Sequence, residues 1–336
     1  MRAMPQTLPL RAVSSWQDQL ADLITDPLEL LQLLQLSPAD VGYSEAALRE
    51  FPLRVPRVYA ARMRVGDPSD PLLLQVLPAT AELAQVPGYS RDPLEEQAAT
   101  VVPGILHKYQ GRVLLILTGA CAIHCRYCFR RHFPYDDNRR SRREWEESLR
   151  YIEADTSIEE VILSGGDPLA LSATHLDWLF ERLGKMAHVK RIRIHSRLPL
   201  VLPDRIDARL LAQLQELPQD LVFVLHANHA QEFDTAVDEA CAKLRRIGVT
   251  LLNQSVLLAG INDSVAALAE LNRRLFQAGV LPYYLHLLDR VQGAAHFDVS
   301  LERARDLIVA LQARLPGYLV PRLVCEEAGK PSKTLL

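Results

Sequence analysis

The residues best suited to chemistry are three cysteines in one short run. Cys121, Cys125 and Cys128 are separated by three and then by two residues. Cysteine thiolates are the usual ligands of a 4Fe-4S cluster, which normally takes four of them. Three thiolates from one loop leave one iron of the cube open to a substrate or cosubstrate. The spacing therefore predicts these three residues as metal ligands of a 4Fe-4S cluster.

A zinc site is the alternative interpretation of the same run. His124 lies inside the run and His132 follows it. Three cysteines and one histidine form a common structural zinc site. Such a site would make the chain a zinc-organised binding module and not an enzyme. Cys241 and Cys325 stand apart from the run and are predicted to be small core residues.

The composition of the whole chain narrows the class of protein. Its 336 residues are 49% hydrophobic and 24% charged, as in a soluble globular protein. A net charge of -3 argues against nucleic acid as the main partner. No apolar stretch reaches the roughly 18 to 20 residues that span a bilayer. Because cysteines grouped in one loop suit a reducing compartment, we expect a cytoplasmic protein without a membrane partner.

Short β-branched runs alternate with amphipathic segments from residue 112 onward, which predicts strand-helix units and parallel strand pairing. The predicted strands are residues 113–117, 161–163, 191–195, 221–225, 250–256, 282–287 and 318–324. Predicted helices include residues 143–153, 175–183, 233–247 and 301–315, and residues 15–50 also have a helical pattern. Six helix-separated strands favour an incomplete barrel.

Unusual polar residues follow most of the predicted strands. In a parallel barrel the loops after the strands meet at one mouth, where functional groups collect. Gly165 and Gly166 end one strand, and glycine allows close backbone approach to a ligand. Arg130 lies two residues after Cys128, and its guanidinium can hold a carboxylate through two bonds. We therefore expect one active site at this mouth.

Two basic segments allow more than one interpretation from sequence alone. Arg139, Arg140, Arg142 and Arg143 form a run that suits a solvated helix start or an RNA contact. Near the C-terminus, the pattern around Lys330 and Lys333 is typical of a polar tail with solvated lysines. A lysine can nevertheless carry pyridoxal 5'-phosphate (PLP) when it is held in a suitable site.

Several runs taken together resemble the lysine 2,3-aminomutases, a family that combines radical S-adenosyl-L-methionine (SAM) chemistry with PLP. The matching runs are residues 107–109, 112–114, 121–133, 163–167, 196–203, 253–258, 260–263 and 282–284. The resemblance extends from about residue 90 to the end. It is closest to the short bacterial branch, the elongation factor P β-lysylation protein B type.

The resemblance implies an α/β fold, a partial (β/α)6 TIM-like radical SAM barrel at residues 106–324. An N-terminal helical extension would occupy residues 1–105, and a C-terminal segment with the PLP lysine residues 325–336. The implied activity is conversion of L-α-lysine to (R)-β-lysine for β-lysylation of elongation factor P. The implied cofactors are a 4Fe-4S cluster, SAM and PLP. Elongation factor P, its lysyl-ligase and an external electron donor would be partners, and a homo-oligomer is left open.

The family's site residues carry over position by position. Cys121, Cys125 and Cys128 would ligate the cluster, Gly165, Gly166, Asp167, His226 and Gln254 would lie around SAM, and Lys333 would carry PLP. Arg130 would bind the substrate carboxylate and Asp289 the side-chain ammonium. A second acidic position aligns with Glu326, a longer residue than usual, and the glycine-rich run that normally follows it is absent.

Two other enzyme functions remain as alternatives. One is an aminomutase that acts on another amino acid or serves secondary metabolism. The other is a radical SAM enzyme that modifies RNA, which the arginine run would suit. The second alternative would not need Lys333.

Overall fold

Ten strands form one sheet whose spatial order follows the chain. The computed structural model describes residues 15–96, 98–133 and 142–336, without the side chains of residues 142 and 143. The strands are β1 Thr100–Val102, β2 Ile105–Tyr109, β3 Arg112–Ile116, β4 Glu160–Ser164, β5 Arg191–Ser196, β6 Asp220–Leu225, β7 Thr250–Val256, β8 Leu281–His286, β9 Arg322–Cys325 and β10 Thr334–Leu335.

The central strands are parallel and the outer ones are antiparallel. Strands β3 to β9 pair with their neighbours in parallel. The pairs β1 with β2, β2 with β3 and β9 with β10 are antiparallel. Within the described residues, β1 and β10 are the two edges of the sheet, so the barrel is partial. Each of β3 to β8 is followed by a helix, which confirms the predicted (β/α)6 arrangement.

Within the described ranges, twelve α-helices surround or precede this sheet. They are α1 Trp16–Ala21, α2 Pro27–Leu33, α3 Glu45–Glu50, α4 Arg57–Ala60, α5 Pro71–Leu74, α6 Arg142–Ala154, α7 Ala173–Gly184, α8 Leu198–Val201, α9 Ala208–Gln215, α10 Thr235–Arg246, α11 Val265–Gln277 and α12 Leu301–Gln312. Most long helices begin at a polar cap. Ser172, Asp234 and Ser264 each accept a backbone hydrogen bond from the first turn, which satisfies donors that a helix start otherwise leaves unpaired.

The segment before the sheet packs onto the barrel. The helical pattern predicted for residues 15–50 corresponds to helices α1 to α3, which are separated by short breaks. Leu30 and Tyr59 from this segment share one hydrophobic core with Leu163 and Leu198 from the barrel. Strand β1 lies within the predicted extension and β10 within the predicted C-terminal segment. The bounds at residues 105 and 324 therefore stay a prediction.

All seven predicted strand regions contain a strand. The last prediction, residues 318–324, is only partly strand, because a 3-10 helix at Gly317–Leu319 precedes β9. Strands β1, β2 and β10 were not predicted. Strands β1 and β10 have only three and two residues, which is too few to show an alternating pattern. Strand β2 is partly buried on both faces, so its hydrophobic residues do not alternate with polar ones. No helix in the described ranges combines the length and apolar character that crossing a bilayer would need.

The loop after β4 is joined to the loop after β3 by close backbone contacts. The amide of Gly166 donates to the carbonyl of Thr118 at 2.6 Å, and that of Asp167 to Ala120 at 2.8 Å. A Cβ on Gly166 would lie 2.4 Å from the Ala120 carbonyl oxygen. Gly165 has a φ of +130°, and a Cβ on it would lie 2.5 Å from the Thr118 carbonyl oxygen. The two glycines therefore allow one loop to approach the other.

We expect Gly166→Ala to lower the free energy of unfolding by about 1–3 kcal/mol, because the added methyl group forces the backbone to shift. Urea denaturation measures the loss. Gly317→Ala is the matched control, since its Cβ would meet nothing within 4 Å. Equal unfolding midpoints for the two variants would contradict the close contact.

Candidate active site

All eleven residues predicted as site residues line one cavity. The cavity has a volume of about 1190 Å³ and lies among the strands and the loops that follow them. Its wall includes Cys121, Cys125, Cys128, Arg130, Gly165, Gly166, Asp167, His226, Gln254, Asp289 and Lys333. The fold therefore brings together residues that are more than 200 positions apart in the chain.

The cysteine loop follows β3 and is tied to the segment before the sheet. The amide of His124 donates to the Arg54 carbonyl at 3.0 Å, and that of Arg126 to the Gln75 carbonyl at 2.8 Å. Burial raises the pKa of the Cys128 thiol to about 11. Burial also raises the pKa of Cys121, with a further contribution from Asp167. Cationic iron would favour the thiolate forms, so the donor chemistry fits a cluster.

The arrangement around the cysteines is less suited to a zinc ion. The Nδ1 atom of His124 lies 2.8 Å from the Pro52 carbonyl, and Nε2 of His132 lies 3.0 Å from that of Gln292. In the parts of the chain that the structure describes, no three His, Cys, Asp or Glu side chains converge as ligands of one ion. A cube does not require such convergence, because each thiolate binds a different iron.

A buried carboxylate clamps two arginines of the cysteine loop. Glu82 Oε1 accepts a hydrogen bond from Arg126 Nε at 2.9 Å, and Glu82 Oε2 accepts one from Arg131 Nη2 at 2.7 Å. All three side chains are almost entirely inaccessible to solvent. Arg126 also donates to the carbonyls of Phe51 and Ala47. The clamp therefore fixes the loop from both sides of Cys128.

Arg130 is already engaged by a carboxylate of the chain. Its Nε and Nη2 donate to the two oxygens of Glu96 at 2.7 and 2.8 Å, and both residues are buried. Its Nη1 donates to the Ser164 hydroxyl and the Gly165 carbonyl. Glu96 therefore occupies the bidentate position that a substrate carboxylate is predicted to take on Arg130. Glu96 lies in an irregular segment, and no sequence signal linked it to Arg130.

The Asp167 side chain points into the protein framework. Its carboxylate accepts hydrogen bonds from the Ser196 hydroxyl and from the amides of Arg197, Leu198 and Leu169. Burial nevertheless raises its pKa to about 6. The carboxylate holds the loop after β5 in place, so only the backbone of Asp167 is left for a ligand.

Lys333 forms one end of a line of alternating charges. Its Nζ lies 2.7 Å from Glu326 Oε2, and Lys108 Nζ lies 3.1 Å from Glu326 Oε1. Lys108 is also 3.9 Å from Glu96. Burial opposes ionisation of Glu326, but the two lysines hold the pKa of its carboxyl down to about 2. Since Lys108 lies on β2 and Glu326 follows β9, this contact joins the two sides of the open barrel.

Asp289 differs from the other acidic residues of the cavity. Within the described residues its carboxylate has no ion pair and no side-chain hydrogen bond. Burial raises its pKa to about 7, against the opposing effect of Lys333. The Asp289 side chain is only half-buried, but a carboxylate that has lost water without gaining a partner is still costly. Asp289 is therefore prepared to receive a cation.

Three imidazoles complete the cavity wall. His226 Nε2 lies 3.4 Å from His195 Nδ1. Burial lowers the pKa of His226 to about 4 and lowers those of His195 and His286 well below the ordinary value. The Nε2 atoms of His195 and His286 have no hydrogen-bond partner among the described residues. The polar run that follows the predicted strand at residues 191–195 includes His195, whereas no sequence signal indicated His286.

The side chains of the predicted arginine run fall outside the part of the chain that the structure describes. Arg139 and Arg140 lie outside the described residues. Arg142 and Arg143 are the first residues of α6, and their side chains are not described.

We expect Glu82→Gln to lower the free energy of unfolding by about 3–5 kcal/mol, because two buried guanidinium groups lose their counter-charge. It should also lower the iron content after anaerobic reconstitution. Glu45→Gln is the control, since Glu45 and Arg49 form an exposed pair whose loss costs about 0.5 kcal/mol or less. Urea denaturation and iron analysis check both variants. Equal losses would show that the clamp contributes little.

Comparison with known proteins agrees with these features. Residues 115–271 match the Radical SAM superfamily. The chain is 51% identical to the L-lysine 2,3-aminomutase of Escherichia coli, over 98% of this chain and 96% of that protein. It is 48% identical to the L-lysine 2,3-aminomutase of Haemophilus influenzae, over 100% of this chain and 99% of that protein. It is 32% identical to that of Clostridium subterminale, over 96% and 77%. The chain therefore belongs to the L-lysine 2,3-aminomutase family of radical SAM enzymes.

Proposed function

We propose that this protein converts L-α-lysine to (R)-β-lysine, using a 4Fe-4S cluster, SAM and PLP. The observation that carries the proposal is that one cavity holds the three cysteines, the unpartnered Asp289 and Lys333. The full-length similarity to proteins named L-lysine 2,3-aminomutase supports the same reaction.

Cys121, Cys125 and Cys128 ligate the cluster in this proposal. Gly165, Gly166, Asp167, His226 and Gln254 surround SAM, with Asp167 contributing through its backbone. The cluster, when reduced, supplies the electron that cleaves SAM to a carbon radical. The protein's part is to hold the reactants in register and to exclude water and oxygen from the cavity.

Lys333 is the proposed attachment point of PLP. PLP, when bound, supplies a conjugated ring that lets an amino nitrogen move between neighbouring carbons. Its phosphate needs a cation, and Arg112 lines the cavity beside the Tyr109 ring at 4.6 Å. Lys108 and Arg193 also line the cavity but are paired with Glu326 and Glu160. Arg112 is therefore the better candidate for the phosphate.

The charges of the cavity suit an amino acid with a cationic side chain. When PLP takes up Lys333, Glu326 loses one of its two cationic partners. Glu326 and Asp289 can then receive the distal ammonium group of lysine. Arg130 binds the substrate carboxylate, which must replace Glu96 or share the guanidinium with it. Two acidic groups for one ammonium favour lysine over an apolar amino acid.

The proposed role in the cell is to supply (R)-β-lysine for the β-lysylation of elongation factor P. Its lysyl-ligase and an external electron donor are the corresponding partners. The similarity to the short bacterial branch supports this role, which requires a reducing, cytoplasmic location.

Anaerobic incubation of reconstituted protein with L-lysine, PLP, SAM and reductant should yield (R)-β-lysine, detected by chiral chromatography with mass detection. L-2-Aminoheptanoic acid is the matched control substrate, because it replaces the side-chain ammonium with a methyl group. We expect its turnover to be at least about 100-fold lower, since the Asp289 and Glu326 carboxylates would face a methyl group. 5′-Deoxyadenosine without β-lysine would reject lysine as the substrate, and the absence of both products would reject the aminomutase reaction.

We expect PLP to attach to Lys333 and not to Lys330. Borohydride treatment fixes PLP to its lysine, and peptide mass analysis then locates the label. Lys333→Ala should abolish the label, whereas Lys330→Ala should keep it because Lys330 is exposed. A label on Lys330 in the unaltered protein would move the attachment point.

A further inference from the structure

Arg197 is a buried cation that contacts the cysteine loop directly. It follows β5 and is only 5% exposed. Its Nη1 lies 2.6 Å from Cys125 Sγ and 2.7 Å from the Tyr127 hydroxyl. Of the arginines around the loop, it is the one whose guanidinium contacts a cysteine sulfur within the described residues. The function proposed above gives it no role.

The other side of the guanidinium is fixed by acceptors. Its Nη2 donates to Glu232 Oε2 at 2.9 Å and to Gln75 Oε1 at 2.7 Å. Gln75 in turn accepts from Asn228 at 3.1 Å. Because the guanidinium is planar and held at both nitrogens, it cannot turn away from the sulfur without breaking several bonds. The Arg197 guanidinium faces the Cys125 sulfur through Nη1, and the Glu232 carboxylate that balances its charge contacts Nη2.

A donor in this position stabilises the reduced cluster. Reduction adds negative charge, part of which resides on the ligand sulfurs. Hydrogen bonds to those sulfurs and the net charge nearby are among the factors that set the potential of an iron-sulfur cluster. A cation within contact distance in a dry interior interacts with such charge far more strongly than it would in water.

We propose that Arg197 is a positioning residue that raises the reduction potential of the cluster through its contact with Cys125. The consequence is that an external donor can reduce the cluster more readily. This inference rests on the cluster ligation proposed above. A purely structural role for Arg197, holding Tyr127 and Glu232 in place, is the competing explanation.

Arg205 offers a matched control for that explanation. It is also fully buried, donates to the Leu169 carbonyl at 2.7 Å and lies over the Trp16 ring at 4.5 Å. It does not line the cavity. Replacing it should disturb the protein interior to a similar extent without changing the surroundings of Cys125.

The test is a redox titration followed by electron paramagnetic resonance, on reconstituted protein without SAM, after iron and acid-labile sulfide have been measured. Arg197→Gln should shift the one-electron equilibrium about tenfold towards the oxidised cluster, which corresponds to ~59 mV. Arg205→Gln should leave the potential unchanged. Arg197→Lys, which keeps the charge, should recover part of the shift.

The outcomes separate this inference from the proposed function. Absence of iron and sulfide in the unaltered protein would overturn cluster ligation itself. A cluster whose potential is the same in Arg197→Gln and in the unaltered protein, or shifts equally in Arg205→Gln, would overturn the role of Arg197 alone. If Arg197→Gln takes up no cluster, Glu232→Gln decides. Removing the counter-charge of Arg197 should raise the potential, and an unchanged potential would overturn the inference.

Discussion

The site depends on keeping arginines buried beside the cysteine loop. A buried cation is tolerated only when a carboxylate and further acceptors replace its water. The pairs are Arg126 and Arg131 with Glu82, Arg130 with Glu96, and Arg197 with Glu232. Two of the three carboxylates come from the segment before the sheet. That segment is therefore part of the active-site framework, although it contributes none of the cysteines.

Pairing of opposite charges also links the two sides of the barrel opening. Strand pairing ends at β1 and β10, yet the Lys108 to Glu326 contact links the two sides of the opening. This link also brings Lys333 into the cavity, since Glu326 holds both lysines. The partial barrel thus gains a polar wall, made of charges that can change partners when a charged ligand enters. Backbone hydrogen bonds between fully paired strands would not allow such an exchange of partners.

The sequence predicted the parts of this structure that depend on repetition and on local chemistry. Alternating strands and helices predicted the parallel sheet, and the parallel sheet predicted that the loops after its strands would meet. The cysteine spacing predicted a 4Fe-4S cluster, which the match to the Radical SAM superfamily also implies. The location of Lys333 in the same cavity came only from the family resemblance, because two lysines in a polar tail have no distinctive pattern.

Contacts between distant side chains could not be predicted in this way. Nothing in residues 91–99 indicates that Glu96 would engage Arg130, because the segment has no periodicity. The glycines after β4 suggested approach to a ligand, and they line the cavity, but their contact with the backbone of residues 118–120 was not predicted. The Asp167 carboxylate is likewise used by a neighbouring loop. Each depends on the tertiary arrangement of at least two loops.

The backbone contacts between the loops after β3 and β4 also bear on the order of assembly. The cysteine loop takes its final position only when Gly166 and Asp167 are alongside it. These residues are separated from the loop by helix α6 and strand β4, and contacts so distant in sequence form slowly during folding. Metal insertion would then follow the folding of this first unit, and a nascent chain with only the cysteine run would present flexible thiols instead of a preformed site.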